Sequence, residues 1–183
     1  MYFSNKGKEN TKETINLALK IAKERNIDNI VVASSTGFTM DYFNNIDNNI
    51  NLVCVSHSYG YPNAGENDMS AKKKIELEQN GIKVLTTTHV LSGAERCLST
   101  KFGGISPVEV MAYTLRMLGQ GTKVCVEIAT MALDAGLIPY SKPIIAIGGS
   151  AHGADTAIIL TPSHASSILD TKIHEVLCKP YNF

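Results

Sequence analysis

The sequence predicts an α/β fold in which helices cover both faces of a mostly parallel sheet, a three-layer α/β/α sandwich. Short apolar runs alternate along the chain with stretches of helical periodicity, and strands that alternate with helices form parallel sheets. The 183 residues are 44% apolar, which is enough for the core of one domain. Because no repeat, low-complexity tract or linker interrupts the chain, we expect one domain over residues 1–183.

The N-terminal half begins with a predicted helix over residues 10–26. Asn10 followed three residues later by Glu13 is typical of a capping box, and apolar residues then recur at helical spacing. The next helix that has clear limits is delimited by Asp68 as a cap and by Asn80-Gly81 as a stop. The elements predicted after the first helix are, in order, strand 30–32, helix 39–45, strand 51–56, loop 58–67, helix 68–79 and strand 82–85.

The C-terminal half begins with a segment, residues 86–105, that shows no clean periodicity. Twenty such residues in a compact domain usually carry function, unless they contain a short helix. Ser106 as a cap, Pro107 at the first helical position and Glu109 in the first turn then predict a helix start. The elements predicted from there are helices 107–119 and 123–135, strands 144–147 and 157–161, and a C-terminal segment 173–178 that we interpret as a strand rather than a short helix.

Composition excludes several classes of function. The 17 basic and 17 acidic side chains give a formal net charge of zero, and no basic stripe with interleaved aromatic residues indicates a nucleic-acid partner. No apolar run resembles a signal peptide or approaches the roughly 20 residues of a membrane span. Four widely spaced cysteines without a C-x-x-C pattern favour free thiols in a reducing cytoplasm. We therefore expect a cytoplasmic protein with no membrane or nucleic-acid partner.

The charged fraction bears on self-association. Charged residues make up 19% of the chain, below the globular average of about 25%. A surface with few charges is typical of a protein that is partly covered by a partner, and we expect a homo-oligomer.

The loop after the first predicted strand is the most informative segment. Its members are Ser34, Ser35, Thr36, Gly37, Phe38 and Thr39. A strand, a turn rich in hydroxyls and glycine, and then a helix form anion sites in α/β proteins, because a helix N-terminus presents unpaired N–H groups and a favourable dipole. The segment matches neither a Walker A motif nor G-x-G-x-x-G. It predicts a phosphate-binding loop, and the alternative is a helix cap at Thr39 preceded by a turn glycine.

Polar residues also gather at the other strand ends where a ligand would bind. In an open α/β sheet the ligand lies at the carboxyl ends of the strands, and here those ends are rich in hydroxyls, glycine and histidine, whereas the opposite ends carry mostly Asp, Asn, Lys and Pro. This asymmetry predicts a small-molecule site. Beyond the first loop, the candidate contacts are His57, Thr87, Gly93, Arg96, Gly148, Gly149, Ser150, Gly153, Asp155 and Thr156.

Three histidines have positions that face this edge of the sheet. His57, His89 and His152 follow three different strands, and any of them is a candidate general acid or base. The alternative is three loop histidines whose ring nitrogens bond to backbone. No carboxylate stands at metal-ligand spacing from them, so no metal site is predicted.

Two further side chains each allow two interpretations. Arg96 either contacts a second anionic group through its guanidinium or pairs with Glu95 or a surface acid. Asp155 with Thr156 either bonds to a ribose or ribityl hydroxyl or stabilises the turn.

Several segments resemble a known family. Residues 30–39, with their Ser/Thr-Gly loop, and residues 144–156, with their glycine-rich loop, resemble the C-terminal α/β domain of pyruvate kinases. Segments 92–96, 102–107 and 126–129 resemble motifs of small stand-alone proteins of the same fold. The resemblance spans nearly the whole chain but not the kinase's catalytic barrel, so kinase activity is not expected.

The resemblance implies a sheet order of 3-2-1-4-5 with the last strand antiparallel, counting the five strands from 30–32 to 157–161. It also implies that the Ser/Thr-Gly loop holds a phosphate and that the glycine-rich loop closes over it. The stand-alone proteins are associated with flavin mononucleotide (FMN). Its phosphate would suit residues 35–39, and its isoalloxazine ring would need an apolar slot, for which Phe38, Tyr59 and Phe102 are candidates.

Three functions compete at this point. The leading hypothesis is a protein that binds a small phosphorylated ligand, FMN above all, with oxidoreductase activity as an option. The alternative is an allosteric or sensor module for a phosphorylated metabolite that carries out no catalysis. A third and weaker hypothesis is a hydrolase or transferase that uses His57 or His152 as a base.

Overall fold

The computed structural model describes residues 1–43, 49–61 and 63–183. Within these ranges it contains one mixed seven-stranded sheet. The strands are β1 (Tyr2–Asn5), β2 (Asn29–Ala33), β3 (Asn51–Ser56), β4 (Lys83–Thr86), β5 (Ile144–Gly148), β6 (Thr156–Thr161) and β7 (Lys172–Asn182). The helices are α1 (Thr11–Arg25), α2 (Ala71–Gln79), α3 (Ala94–Phe102), α4 (Pro107–Arg116) and α5 (Gln120–Asp134), with short 3₁₀ helices at Lys8–Asn10, Phe38–Tyr42 and Ala165–Asp170.

The central strands are buried on both faces because they consist of adjacent β-branched and apolar residues. Neighbouring residues of a strand point to opposite faces, so Ile30 and Val32 of β2 belong to one apolar cluster and Val31 belongs to another. Helix α1 contributes Ile15 to the first cluster, and α5 contributes Ala129 to the second. Each face of the sheet therefore has its own apolar core under a helix.

The strand order is β1-β7-β6-β5-β2-β3-β4. It keeps the five predicted strands, β2 to β6, in the order 3-2-1-4-5 but adds two strands that were not part of that order. β6 is antiparallel to β5, but it does not end the sheet, because β7 pairs antiparallel with it and β1 pairs parallel with β7. Strand β7 is longer than the predicted 173–178. Strand β1 was not predicted, because Phe3 is its only buried residue and four residues show no usable alternation.

Of two helix starts predicted from capping residues, one is confirmed and the other is wrong. The start of α4 is as predicted: the Ser106 N–H donates to Glu109 Oε2 at 2.9 Å and the Ser106 hydroxyl accepts from the Val108 N–H, which together form a capping box. The predicted capping box at Asn10 is wrong. The preceding 3₁₀ turn holds Asn10 in a helical rather than an extended conformation, and its side chain donates to the Asn5 carbonyl instead.

Three other helices differ from prediction. Helix α2 starts after Ser70, whose hydroxyl accepts from the Lys73 N–H, and not at Asp68. Helix α3 lies inside the segment 86–105 and has no buried residue, so apolar periodicity could not reveal it. Of the helix predicted at 39–45, the described part is a short 3₁₀ helix, and residues 44–45 lie outside the described residues. Among the helices described, none has the length and apolar character that a membrane crossing requires.

Candidate functional site

A cleft of about 470 Å³ opens at the carboxyl ends of β2, β3 and β5, a size typical of small-molecule sites. Loops that follow these strands form one side, and the N-terminal half of α5 forms another. The structure therefore brings together many of the residues predicted from strand ends. The predicted contacts that line the cleft are Ser34, Ser35, Thr36, Phe38, Thr39, His57, Arg96, Gly149, Ser150 and Gly153.

The remaining predicted contacts lie outside the lining. Tyr59 and Phe102 are exposed on the surface, at 69% and 74%, so they do not form the predicted apolar slot with Phe38. Tyr61 lines the cleft instead, with its ring centroid 4.3 Å from that of His57. The predicted contacts outside the lining are Gly37, Tyr59, Thr87, Gly93, Phe102, Gly148, Asp155 and Thr156.

The hydroxyls of the first loop organise the loop itself. The Ser34 hydroxyl accepts from the Thr39 N–H at 3.2 Å, and the Thr36 hydroxyl accepts from the Phe38 N–H at 3.3 Å. The helix that follows is a 3₁₀ helix of five residues, Phe38–Tyr42. The predicted dipole of a full α-helix is therefore missing here. Thr39 is not the helix cap either, because it lies inside the 3₁₀ helix, whose N-cap is Gly37 without a side-chain cap bond.

The free hydrogen-bond donors of this loop lie in its backbone. Within the described ranges, the N–H groups of Ser35, Thr36 and Gly37 find no protein acceptor. Gly37 has a φ of 91°, and successive N–H groups at a left-handed turn are able to form a concave anion site, a nest. We refer to residues 35–37 as the N–H turn.

The N–H turn is supported from behind by α2. A Cβ at Gly37 would lie 2.7 Å from Lys73 Cγ, so the lysine stem packs directly on the glycine. The Lys73 ammonium lies 2.6 Å from both Asp41 Oδ1 and Glu76 Oε1, and these carboxylates raise its pKa. Lys73 thus fixes the loop to α2 and does not line the cleft.

The glycine-rich loop between β5 and β6 is held by Asp155. Its Oδ2 accepts from the N–H groups of Ser150 at 3.2 Å and Gly7 at 3.3 Å, and its Oδ1 accepts from the Thr156 hydroxyl at 2.8 Å. The side chain is buried. Asp155 therefore stabilises the turn, as one of its two interpretations expected, and ties it to the N-terminal segment.

One face of α5, which the sequence analysis did not select, lines the cleft with polar side chains. Gln120, Lys123 and Glu127 follow each other at intervals of three and four residues, which places them on one side of a helix. The Lys123 Nζ lies 2.6 Å from Glu127 Oε2, and both side chains are almost fully buried. Glu127 Oε1 also accepts from the Leu91 N–H at 3.0 Å. A Lys–Glu pair inside an otherwise apolar helix was the signal available in the sequence.

All three candidate histidines line the cleft, and His89 has the most perturbed environment. Burial lowers its pKa, while the Glu127 carboxylate, 3.9 Å from its Nδ1, partly opposes the shift. His57, with a ring centroid 4.6 Å away, and Lys123 lower the pKa further. His89 is therefore neutral near pH 7. Burial also lowers the pKa of Lys123, and the Glu127 carboxylate opposes this.

Two arginines enter the cleft from α3 and α4. The Arg96 Nη1 lies 3.3 Å from the Ser92 hydroxyl, and Glu95 turns instead to the Gly93 N–H. The Arg116 Nε donates to Gln120 Oε1 at 2.7 Å. Neither guanidinium forms an ion pair with a carboxylate in the part of the chain that the structure describes.

The sequence matches the family described as pyruvate kinase, alpha/beta domain, over residues 12–160. The chain belongs to this family. The match to the pyruvate kinase alpha/beta domain runs from α1 into β6 and includes both cleft loops and α5, whereas β1 and β7 lie outside it. The resemblance expected from the sequence is thus confirmed.

Two solved pyruvate kinase structures from Cryptosporidium parvum are similar to the chain. One is 14% identical with a TM-score of 0.42, and covers 83% of this chain and 23% of that chain. The other, a complex with ADP, is 15% identical with a TM-score of 0.40, and the corresponding shares are 90% and 23%. The chain thus spans about a quarter of the length of those kinases.

Proposed function

We propose that the cleft binds a small phosphorylated molecule and that this ligand is FMN. The observation that supports the proposal is the N–H turn, Ser35 to Gly37, whose three N–H groups lack protein acceptors within the described ranges. A phosphate that accepts these hydrogen bonds would satisfy the free donors without moving the loop. Lys123, Arg96 and Arg116 in the same cleft add a positive potential that favours an anionic ligand.

The lining residues fit the other parts of a flavin nucleotide. Phe38, Tyr61 and His57 supply ring surfaces against which a planar ring system can pack. The Ser150 hydroxyl is buried and has no hydrogen-bond partner among the described residues, so it is free to bond to a ribityl or phosphate oxygen. A flavin bound here would supply hydride or electron transfer, which is the reason to expect oxidoreductase activity.

The test compares FMN with riboflavin, which differs only in lacking the phosphate. The absorption spectrum of freshly purified protein shows whether flavin is retained, and titration of the flavin-free protein gives both affinities. Charge-assisted hydrogen bonds contribute about 1.5–3 kcal/mol each, so two or more predict at least roughly a hundredfold preference for FMN. Equal affinities would refute the phosphate site, and no binding of either would refute the choice of flavin.

A pair of tyrosine variants tests the ring surface. Tyr61 lines the cleft and Tyr59 does not, although both belong to the same loop. We expect Tyr61→Ala to weaken FMN binding roughly tenfold through loss of aromatic contact, while Tyr59→Ala leaves it unchanged. Equal effects of the two variants would contradict this placement of the ring.

A second candidate function is a sensor that binds a phosphorylated metabolite without catalysis. The observation that favours it is the double tie of the glycine-rich loop to the N-terminal segment, through Asp155 with Gly7 and through the Ala154 N–H with the Thr11 hydroxyl. Such ties would transmit a ligand-induced shift to the sheet edge. Bound FMN that neither NADH nor NADPH reduces would favour the sensor over the oxidoreductase.

We also infer a cytoplasmic homo-oligomer. The four cysteines are unpaired, as is usual in a reducing compartment. Exposed apolar side chains gather on α4 and the segments beside it, as at the interfaces of associating proteins, and they include Phe102, Ile105, Tyr113 and Met117. Light scattering coupled to gel filtration tests this, and a monomer at all concentrations would refute it.

A further inference from the structure

The outer surface of α3 and α4 carries exposed apolar side chains. Helix α3 has nine residues and none of them is buried, although a helix of that length is marginal by itself. Val110, Tyr113 and Met117, the C-cap of α4, follow each other at intervals of three and four residues and lie on one side of that helix. We call the six large apolar residues of this region that are each more than half exposed the α3–α4 patch: Leu98, Phe102, Ile105, Val110, Tyr113 and Met117.

An apolar groove of about 350 Å³ borders the patch. Val110 belongs to both, and it lines the groove together with Met111 and Leu115 of α4 and with Leu169 and Ile173 near the start of β7. Among the described residues that line the groove none is charged, and the polar ones are two threonines. One surface of the chain thus presents protruding apolar side chains and, next to them, a recess of the same chemistry.

The size of this surface matches what a stable complex needs. A large aromatic side chain buries roughly 150–250 Å² when it is fully covered, and the patch residues are each more than half exposed. Covering the patch and the groove would therefore bury on the order of 800 Å² per chain, which is the share of one partner in a standard interface.

A second copy of the chain is the occupant that these features fit. In a twofold dimer the same surface lies on both sides of the interface, so it must be complementary to itself. A patch that combines protruding side chains with an adjoining recess meets this requirement. The formal net charge of the chain is zero, so two copies approach each other without net repulsion.

We propose that the chain forms a twofold dimer in which Phe102 of each copy enters the groove of the other, beside Leu169. Phe102 ends α3 and is followed by Gly103 and Gly104, around which the space is open, so the end of α3 projects from the chain. The inference rests on the homo-oligomer of the proposed function and gives it an interface. It does not depend on the identity of the phosphorylated ligand.

Two variants and their mixture test this arrangement by sedimentation equilibrium. Phe102→Lys and Leu169→Glu each place a charge in both Phe102–groove contacts of the dimer, and each should raise the dissociation constant at least roughly a hundredfold. An equal mixture of the two variants should form a heterodimer about as readily as the native chain dimerises. In that heterodimer the introduced lysine meets the introduced glutamate in one contact, and the other contact keeps the native Phe102 and Leu169.

Tyr181 provides the matched control, because it is 74% exposed, like Phe102, and lies on β7 outside the patch and the groove lining. Tyr181→Lys should leave the dissociation constant unchanged, and circular dichroism checks that every variant is folded. A dimer that neither Phe102→Lys nor Leu169→Glu weakens would overturn this interface. Variants that dissociate but form no heterodimer would overturn the pairing of Phe102 with the groove.

The remaining outcomes separate this inference from the proposed function. A native chain that stays monomeric at all concentrations would overturn the dimer together with the proposed homo-oligomer, and would assign the patch to a different protein. The FMN and riboflavin titrations, repeated on the Phe102→Lys monomer, test the phosphate site alone, since Phe102 lies outside the cleft lining. Their failure would overturn the proposed ligand and leave the dimer interface standing.

Discussion

Lys123 Nζ and Glu127 Oε2 lie 2.6 Å apart, one helical turn from each other, with only 4% and 3% of their side chains exposed. Taking two charges out of water costs several kcal/mol per ion, and their mutual attraction offsets this only when the geometry is good. Glu127 gains a further bond from the Leu91 N–H. The pair therefore belongs to the wall of the cleft and not to its solvent-exposed surface.

The first prediction is that the two members of this pair depend on each other. Lys123→Met or Glu127→Leu alone leaves one buried charge without its partner and should lower the free energy of unfolding by about 3–5 kcal/mol. The double variant should lose much less than the sum of the two. Urea denaturation of all four proteins measures the coupling. Additive losses would show that the two charges do not stabilise each other.

The second prediction concerns Asp155. Asp155→Asn keeps the size of the side chain but loses the charge that accepts from Gly7, Ser150 and Thr156, and should cost about 1–3 kcal/mol. Amide hydrogen exchange at Gly7 and Ser150 should accelerate. Asp170→Asn, at an exposed carboxylate, is the control for the charge change, and a similar loss in both variants would contradict the role of Asp155.

The third prediction distinguishes loss of the anion site from the general effect of backbone strain. Gly37 and Gly81 both have a positive φ, at 91° and 77°, but a Cβ meets Lys73 only at Gly37, whereas Gly81 faces open space. Gly37→Val should abolish binding of orthophosphate at the N–H turn. Gly81→Val should carry a comparable strain of about 1–2 kcal/mol and leave binding intact. Phosphate titration with circular dichroism as a folding check distinguishes the two.

The fourth prediction is a pH dependence of anion binding. Burial keeps the pKa of His89 below its ordinary value of about 6.5, so the imidazole becomes a cation only as pH falls below that range. A bound anion stabilises the protonated form, and sulfate, whose charge is constant, should bind roughly tenfold more tightly at about pH 5.5 than at about pH 7.5. The charged or titratable groups that face His89 are Glu127, Lys123 and His57.

Two variants and one stability measurement check this prediction. His89→Gln should flatten the sulfate profile, while His174→Gln, which lies outside the cleft lining, should not. In the absence of anion, the depressed pKa means that the unfolded state binds the proton more readily. The stability that neutral His89 contributes is therefore present above about pH 6.5 and lost as pH falls through its lower folded pKa. A sulfate profile that His89→Gln leaves unchanged would contradict the assignment.

Elements that depend on local chemistry could be predicted from the sequence. Ser106 and Glu109 form a capping box within a single helix turn, so the start of α4 was correct. The start of α5 was placed three residues late, because Gly121 suggests a helix break. In the fold, a Cβ at Gly121 would overlap the Thr156 hydroxyl. The glycine allows α5 to approach β6 closely, and this requirement depends on contacts that are distant in sequence.

The same distinction between local contacts and contacts distant in sequence applies to the candidate site. Its loops could be predicted because parallel strands bring their carboxyl ends together whatever the details of packing. Lys123 and Arg116 were missed, since helix residues enter the cleft only through the rotation of α5 and α4 about their axes. The sequence also did not distinguish Tyr61 from Tyr59, which belong to the same loop. Tyr61 is the one that lines the cleft, where its ring packs against that of His57.

The pairing of β1 with β7 has a consequence for the order of folding. Tyr2 aligns with Lys179 and Asn5 with Asn182, so the first strand of the chain finds its neighbour only when the last strand is present. Contacts between such distant residues form late, because a long loop must close before they are made. Gly7, which follows β1, donates to Asp155 in the glycine-rich loop. Completion of the cleft is thus coupled to docking of the two chain ends, and a ribosome-bound chain that lacks β7 would hold an unfinished site.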